Sequence, residues 1–416
     1  MMELLSPAGT SEKLSYAYAY GADAAYIGMQ DFSLRTHAGN ITDEEVSSLA
    51  RIKGDHKLFG AINSYFHEND LLKLIDRFPQ IEAYPFDAFI VSDLGAADLL
   101  RQRFPQTKLH LSTQANCLNS SAAKVYWKMG FSRIILGRET PLSDIRRIKD
   151  AVPDIEIETF VHGAMCMAYS GRCFLSSFFT GRSANQGDCS QSCRWSYRLM
   201  QRTATGIPAP GGELALEEEE RPGVYYPVYE GEGYTTILSS KDLCMIDHLK
   251  DLKEAGVDSL KIEGRMKSLY YVATVTRAYR KAIDALEGLP GAEDWRSYRD
   301  ELFHVSHREF STGFFYGPEA IESPTEQSYL RDYLFIGTIE KEIEPGLFSI
   351  ALKNQISMQR PIEYIGPDQL CINDAGFTLF DADMHPIVKQ DHGKTAFLRT
   401  SQPIHPGYIM RCAINA

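Results

Sequence analysis

Short apolar, often β-branched runs recur through the first two thirds of the chain. They are ELLSPAG (3–9), AAYIG (24–28), KLFGAIN (57–63), AFIVSD (88–93), KLHLSTQAN (108–116), RIILGRE (133–139) and IEIETFVHG (155–163). Each ends in a small or polar residue, and most lead into a stretch whose apolar positions return with helical period, such as LGAADLLRQRF or PLSDIRRIKDA. Ser, Asn or Asp stands where these stretches begin, and Gly near several ends. An eighth run, SLKIEGR (259–265), comes after a long interruption and is followed by the helical pattern LYYVATVTRAYRKAIDALEG (269–288). Eightfold alternation of strand and helix, with strands apolar on both faces, predicts a (β/α)8 TIM-like barrel over 1–290 rather than an open doubly wound sheet.

The interruption, about 164–258, follows strand seven and so belongs to the βα loops at the C-terminal face, where barrel enzymes build their sites. It carries a cysteine cluster, then a Pro/Gly-rich acidic stretch. SKDLCMIDHLKDLKEAG, read as a helix, then restores the barrel rhythm. After a polar connection (291–330) the period changes to short alternating strands with Gly/Pro turns, which predicts a small C-terminal antiparallel β-barrel domain over 331–416, suited to docking or substrate guidance.

At 416 residues with 44% hydrophobic and 24% charged positions, the composition is that of an ordinary soluble protein. No window approaches the roughly 18 apolar residues of a membrane span, and MMELLSPAG lacks the basic start and apolar core of a signal peptide, so a cytoplasmic protein without a membrane partner is expected. The net charge of −12 argues against indiscriminate nucleic-acid binding and leaves room for a local basic patch. Arg277, Arg280 and Lys281 share one face of the last barrel helix, with Arg265 and Lys267 just upstream. Such a strip either holds RNA phosphates or is a solvated helix face.

Eight cysteines without a secretory signal do not suggest a disulfide framework, so clustered ones become metal, cluster or catalytic candidates. Four follow the spacing Cys166-x6-Cys173-x15-Cys189-x3-Cys193. Structural zinc sites favour two short Cys knuckles, and Cys189/Cys193 alone could supply one. The wider gaps favour a [4Fe-4S] cluster wrapped by a loop, with zinc the alternative. Cys244, on the expected helix, is an alternative fourth ligand or a buried thiol; Cys117, Cys371 and Cys412 read as buried small hydrophobes. The polar residues at strand ends, Asn63, Gln114, Asn116, Arg138, Glu139, His162, Glu263 and Arg265, form a second constellation. Arg138 and Arg265 could clamp a carboxylate or phosphate, or the set could pair internally, as Glu263 with Lys261 or Arg265. His162 is a proton donor or a capping residue.

These residues also carry a family likeness. ETFVHGAMCMAYSGRCFLS (158–176) resembles the signature of the U32 peptidases, the collagenase-like proteases, with Glu158, Phe160, Gly163, Cys166, Gly171, Cys173 and Ser176 on motif positions. The resemblance extends to ELLSPAG, GADAAYIG, NQGDCSQSCRW and SLKIEGRMKS, so it covers most of 3–285. It implies hydroxylation chemistry. Members form 5-hydroxyuridine at the wobble position of tRNA in a prephenate-dependent pathway, hydroxylate a cytidine of 23S rRNA, or hydroxylate the ubiquinone ring. In the ubiquinone branch four cysteines bind a [4Fe-4S] cluster, which implies Cys166, Cys173, Cys189 and Cys193 here, with Cys193 or Cys244 as the fourth.

NQGDCSQSCRW and the added β domain are most similar to the tRNA branch. The expectation is therefore an iron-sulfur-dependent tRNA hydroxylase using prephenate as a small anionic cosubstrate, with Arg138, His162, Glu263 and Arg265 as catalytic candidates. A paralogous U32-family protein or a second copy is a further expected partner. The alternatives are a peptidase and a 23S rRNA hydroxylation protein. Neither a Ser-His-acid set nor His-Glu-x-x-His is present, and Cys166, which could pair with His162, is the thiol claimed by the cluster.

Overall fold

Each of the eight apolar runs is a strand, and together they close a parallel barrel. In this computed structural model the strands are β1 (Glu3–Pro7), β2 (Ala24–Gly28), β3 (Lys57–Ile62), β4 (Ala88–Val91), β5 (Lys108–Leu111), β6 (Arg133–Ile135), β7 (Glu156–Ala164) and β14 (Ser259–Ile262). Each pairs in parallel with the next, and β14 pairs with both β7 and β1, which completes the ring. The structure describes the chain apart from residues 30, 34–40, 42, 166–189, 191–199, 203–207, 211–213, 218–224, 232–233, 237–240, 318–328 and 415–416. Intervening helices start where the sequence places caps. Asp93 accepts from the Ala96 N–H and Asn119 from the Ala122 N–H, both at 2.9 Å, each satisfying one donor that a helix start leaves open.

Strand β7 is longer than its neighbours, and its excess changes the rim. Gly163 takes φ +106°, a conformation that favours glycine, and beyond the barrel β7 pairs antiparallel with β13 (Asp242–Cys244). Ala164 stands opposite Asp242, Gly163 opposite Leu243, and His162 opposite Cys244. This corrects the expected helix: DLC is a strand, and helical structure begins with the 3-10 turn Ile246–His248 and the helix Leu249–Glu254. Strand β15 (Phe310–Ser311) adds to β13 in parallel. A buried pair fastens it there, with Arg308 Nη2 donating to Asp242 Oδ1 at 2.7 Å and the Arg308 N–H to Oδ2 at 3.1 Å. Inside the interruption lie β8 (Met200–Arg202) paired with β9 (Pro208–Pro210), and β11 (Tyr225–Gly231) flanked by β10 (Leu214–Glu217) and β12 (Tyr234–Thr236).

Two compact units divide the chain. The first comprises Met1–Ser11, Ala24–Met266 and Arg308–Ser328 and holds the barrel strands; the second comprises Glu12–Asp23, Lys267–His307 and Tyr329–Ala416. The second is built on an antiparallel half-barrel sheet of eight strands, among them Tyr333–Glu344, Leu347–Leu352, Ile362–Ile365, Ala396–Arg399 and Ile409–Ala413. Ile336, Ile350, Tyr364, Leu379, Leu398 and Met410 form its core.

The long helix Leu269–Leu286 belongs to this second unit, and it corrects the reading of the basic strip. Arg277 is buried and donates to the carbonyls of Gly366 at 2.7 Å and Gln369 at 2.6 Å, so it fastens a loop. Arg280 pairs with Asp284 and Asp23, and Lys281 with Asp368. These cations are occupied within the unit. Among the described residues no helix is long and apolar enough to cross a membrane.

Candidate active site

Barrel interiors are ordinarily layers of branched aliphatic side chains. This one carries charge. Arg133 Nη1 lies 2.5 Å from Glu3 Oε1 and 2.9 Å from Glu158 Oε2, while Arg133 Nη2 lies 2.6 Å from Glu156 Oε2. Lys261 Nζ donates to the other Glu158 oxygen at 2.8 Å and lies 4.4 Å from the centre of the Tyr26 ring. Glu158 is fully buried, and the Lys261 and Arg133 side chains are nearly so. Ions can occupy such a place when each finds a counter-ion and hydrogen bonds.

The network also sets proton affinities. Burial alone would raise the Glu3 carboxyl, but Arg133 and Lys57 override it and hold the group at about 2. Burial pushes the Lys261 ammonium below its ordinary value, with Glu158 opposing. Burial, then the charges of Arg133 and Lys261, keeps His110 neutral far below its usual range; its ring stands edge-on to Phe59 with centroids 4.7 Å apart.

Above this floor the strand ends build the mouth. Arg138, just past β6, pairs with Glu263, just past β14, at 3.0 Å, and its guanidinium lies 3.8 Å from the centre of the Phe160 ring. A planar cation stacked on one face and anchored at one edge is preorganised for a planar anion. Glu263 thus pairs with Arg138, and Lys261 with Glu158. Arg265 is buried, lies over Tyr26 at 5.8 Å and donates to Ser33 Oγ at 3.4 Å. It fits because residue 28 is glycine: a Cβ there would stand 2.3 Å from both Arg265 Nη1 and Ser33 Oγ. Tyr26 donates its hydroxyl to the Ile262 carbonyl at 3.0 Å, which brings β2 and β14 together across β1.

His162 is buried, its ring 5.3 Å from that of Phe310, and its carbonyl accepts from the Glu263 N–H at 2.9 Å. The main chain of His162 therefore lies beside Glu263, with Cys244, half buried, across the β7–β13 pair. On the other strands the mouth is lined by hydrogen-bonding groups. Asn63 Nδ2 donates to Ser112 Oγ at 3.3 Å, Ser92 Oγ to the Asn63 carbonyl at 3.1 Å, and Asn116 Nδ2 to Glu139 Oε1 at 2.7 Å. Asn116 adopts a left-handed φ of +54°, which turns the chain back over the strand end.

Cys166, Cys173, Cys189 and Cys193 lie outside the described residues. The ends of the segment that carries them are described: β7 delivers the chain to Ala164 and β13 takes it up at Asp242, directly opposite. Sequence reasoning missed the interior network of Glu3, Arg133, Glu158 and Lys261, with the part-exposed Glu156 at its edge. The signal was there, since a charged residue inside RII, IEIET or SLKI interrupts runs that should be apolar on both faces.

Comparison with known proteins adds to this geometry. A family model described as peptidase family U32 matches residues 9–324. The tRNA hydroxylation protein P of Escherichia coli K12 is 37% identical over 445 residues, spanning 98% of this chain and 96% of that one. The tRNA hydroxylation protein P1 of Bacillus subtilis 168 is 35% identical over 419 residues, spanning 98% and 94%. The 23S rRNA 5-hydroxycytidine C2501 synthase of Escherichia coli K12 is 32% identical over 376 residues, spanning 85% of this chain and 53% of that one.

Proposed function

The chain belongs to peptidase family U32, and we propose that it is an RNA hydroxylase that converts the wobble uridine of tRNA to 5-hydroxyuridine. The observation that carries this reading is the extent of the match. Relatives named as tRNA hydroxylation proteins align over nearly the whole of both chains, the C-terminal half-barrel included, whereas the rRNA hydroxycytidine synthase is matched over about half its length. The setting that follows is cytoplasmic, with tRNA as macromolecular substrate.

In this reading the mouth holds a small anionic cosubstrate, with prephenate the expected one. Arg138 meets a carboxylate with its guanidinium, Glu263 and the Phe160 ring fix the plane of that guanidinium, and Arg265 supplies a second cation from the cradle at Gly28. Lys261 and Glu158 pair in the buried interior beneath. The thiols of Cys166, Cys173, Cys189 and Cys193 are a soft donor set that suits a [4Fe-4S] cluster, and the β7–β13 pair brings both ends of the segment bearing them to the rim. When bound, such a cluster supplies one-electron transfer.

Nucleoside mass spectrometry of tRNA from a deletion strain complemented with this chain tests the proposal, and 5-hydroxyuridine-derived nucleosides are expected to return. Their continued absence would refute it. Return of 5-hydroxycytidine in 23S rRNA instead would move the substrate to ribosomal RNA, and gelatin cleavage lost in Cys166→Ser would revive the peptidase reading. Iron and acid-labile sulfide in anaerobically purified protein, lost on replacing the four cysteines, is the expected result for the cluster; zinc in their place would overturn it.

A further inference from the structure

Gln114 follows β5 directly, in the 3-10 turn Thr113–Ala115 at the barrel mouth. Its main chain is held on both sides. The Gln114 N–H donates to Ser112 Oγ at 3.3 Å, and its carbonyl accepts the Tyr65 hydroxyl at 3.5 Å. Thr113 Oγ1 donates to the Leu136 carbonyl at 3.1 Å, and Asn116 anchors on Glu139 at 2.7 Å. The side chain differs: Gln114 Oε1 is buried and has no hydrogen-bond partner among the described residues. A buried acceptor left unmade is unfavourable, and on a fixed turn at the mouth of a site it marks where a ligand donor belongs.

We infer that Gln114 reads the Watson–Crick edge of the target pyrimidine. This deepens, and rests on, the reading of the chain as an RNA-modifying enzyme. A carboxamide matches uracil in two places: its oxygen accepts from N3–H and its amide donates to O4. Cytosine is met by the same group turned over, with N4–H donating and N3 accepting. In either orientation the clasp covers N3 and the C4 substituent and leaves the C5–C6 edge of the ring open, which is the edge that hydroxylation at C5 requires. A base reaches the mouth of a barrel only when swung out of its stack, so the edge freed from pairing is the one presented. The mouth then has two sides, the amide of Gln114 for the base and the guanidinium groups of Arg138 and Arg265 for the anion.

Binding of uridine 5′-monophosphate and cytidine 5′-monophosphate to the full-length chain, followed by saturation-transfer NMR, tests the assignment without requiring catalysis. Gln114→Met keeps the length and removes both hydrogen bonds; its affinity for the uridine nucleotide is expected to fall by about tenfold or more. Gln114→Glu keeps an acceptor and loses the donor. At either base a carboxylate accepts from one donor, uracil N3–H or cytosine N4–H, and repels one acceptor, uracil O4 or cytosine N3, so binding of both nucleotides is expected to weaken. A merely structural glutamine would leave nucleotide binding unmoved by this near-isosteric change. Failure of the wild type to bind either nucleotide, equal binding by Gln114→Met, or unweakened binding by Gln114→Glu overturns the inference. A chain that binds as expected yet restores no hydroxylated nucleoside retains the pyrimidine subsite and overturns the hydroxylase reading instead.

Discussion

Glu158→Gln isolates the weight of the charged interior. The substitution keeps the size of a fully buried side chain and removes the charge that faces Lys261 at 2.8 Å and Arg133 at 2.9 Å. Arg133 retains Glu3 and Glu156. Lys261 keeps an amide oxygen and the Tyr26 ring 4.4 Å away, a contact good for about 0.5–2 kcal/mol. Breaking a buried pair by removing one partner costs about 3–5 kcal/mol, so the ring does not compensate. At about 2–4 °C per kcal/mol for a domain of this size, calorimetry should show the barrel transition lowered by about 6–20 °C.

The sign of the pH dependence follows from Lys261. Its folded-state proton affinity is already depressed by burial and falls further without Glu158, so the unfolded chain binds more protons. The deficit should therefore shrink as pH rises towards the ordinary lysine value. Glu158→Gln combined with Lys261→Met removes both charges, and the double variant should be more stable than the single one. A melting shift under about 2 °C for the single variant, or a double variant destabilised by the full sum, would refute this account of the interior.

Gly28→Ala should act on Arg265 rather than on the fold, because the new Cβ falls 2.3 Å from the guanidinium and from Ser33 Oγ. Prephenate affinity measured by calorimetry should fall by about tenfold, as for a lost charge-assisted contact; unchanged affinity would remove Arg265 from the anion site. The Glu3 carboxyl, held at about 2 against an ordinary 4.5, contributes roughly 3 kcal/mol that is fully present above pH 4.5 and lost as pH falls through 2. Acid unfolding of Glu3→Gln should accordingly show a flatter stability profile between those values. A profile parallel to that of the wild type would show that Glu3 does not titrate as described.

The barrel was legible because parallel strands buried on both faces leave continuous apolar runs that no surface element imitates, as in AFIVSD and AAYIG. The segment DLC was not: three residues are too short to show a period of two, and β7, extending past the barrel, supplies the edge that captures them. Arg138 and Glu263 were legible as strand-end residues, but their pairing depends on barrel closure, which brings together positions 125 apart in sequence. The basic strip failed for a related reason. A helical wheel shows that Arg277 shares a face with Arg280 and cannot show that the carbonyls of Gly366 and Gln369 await it. Gln114 was legible as a mouth residue, and its vacant acceptor only from the hydrogen bonds around it.

The pairing of Ala164 with Asp242 has a consequence for how such a chain can vary. A segment whose two ends are already fastened side by side is tied off from the ring beneath it. Lengthening it adds only about 0.6 kcal/mol of closure entropy per doubling, and shortening it returns as little. The strand pair thus works as a hem: what is sewn in above it can be exchanged, enlarged or trimmed over generations, while the eight strands below keep their register.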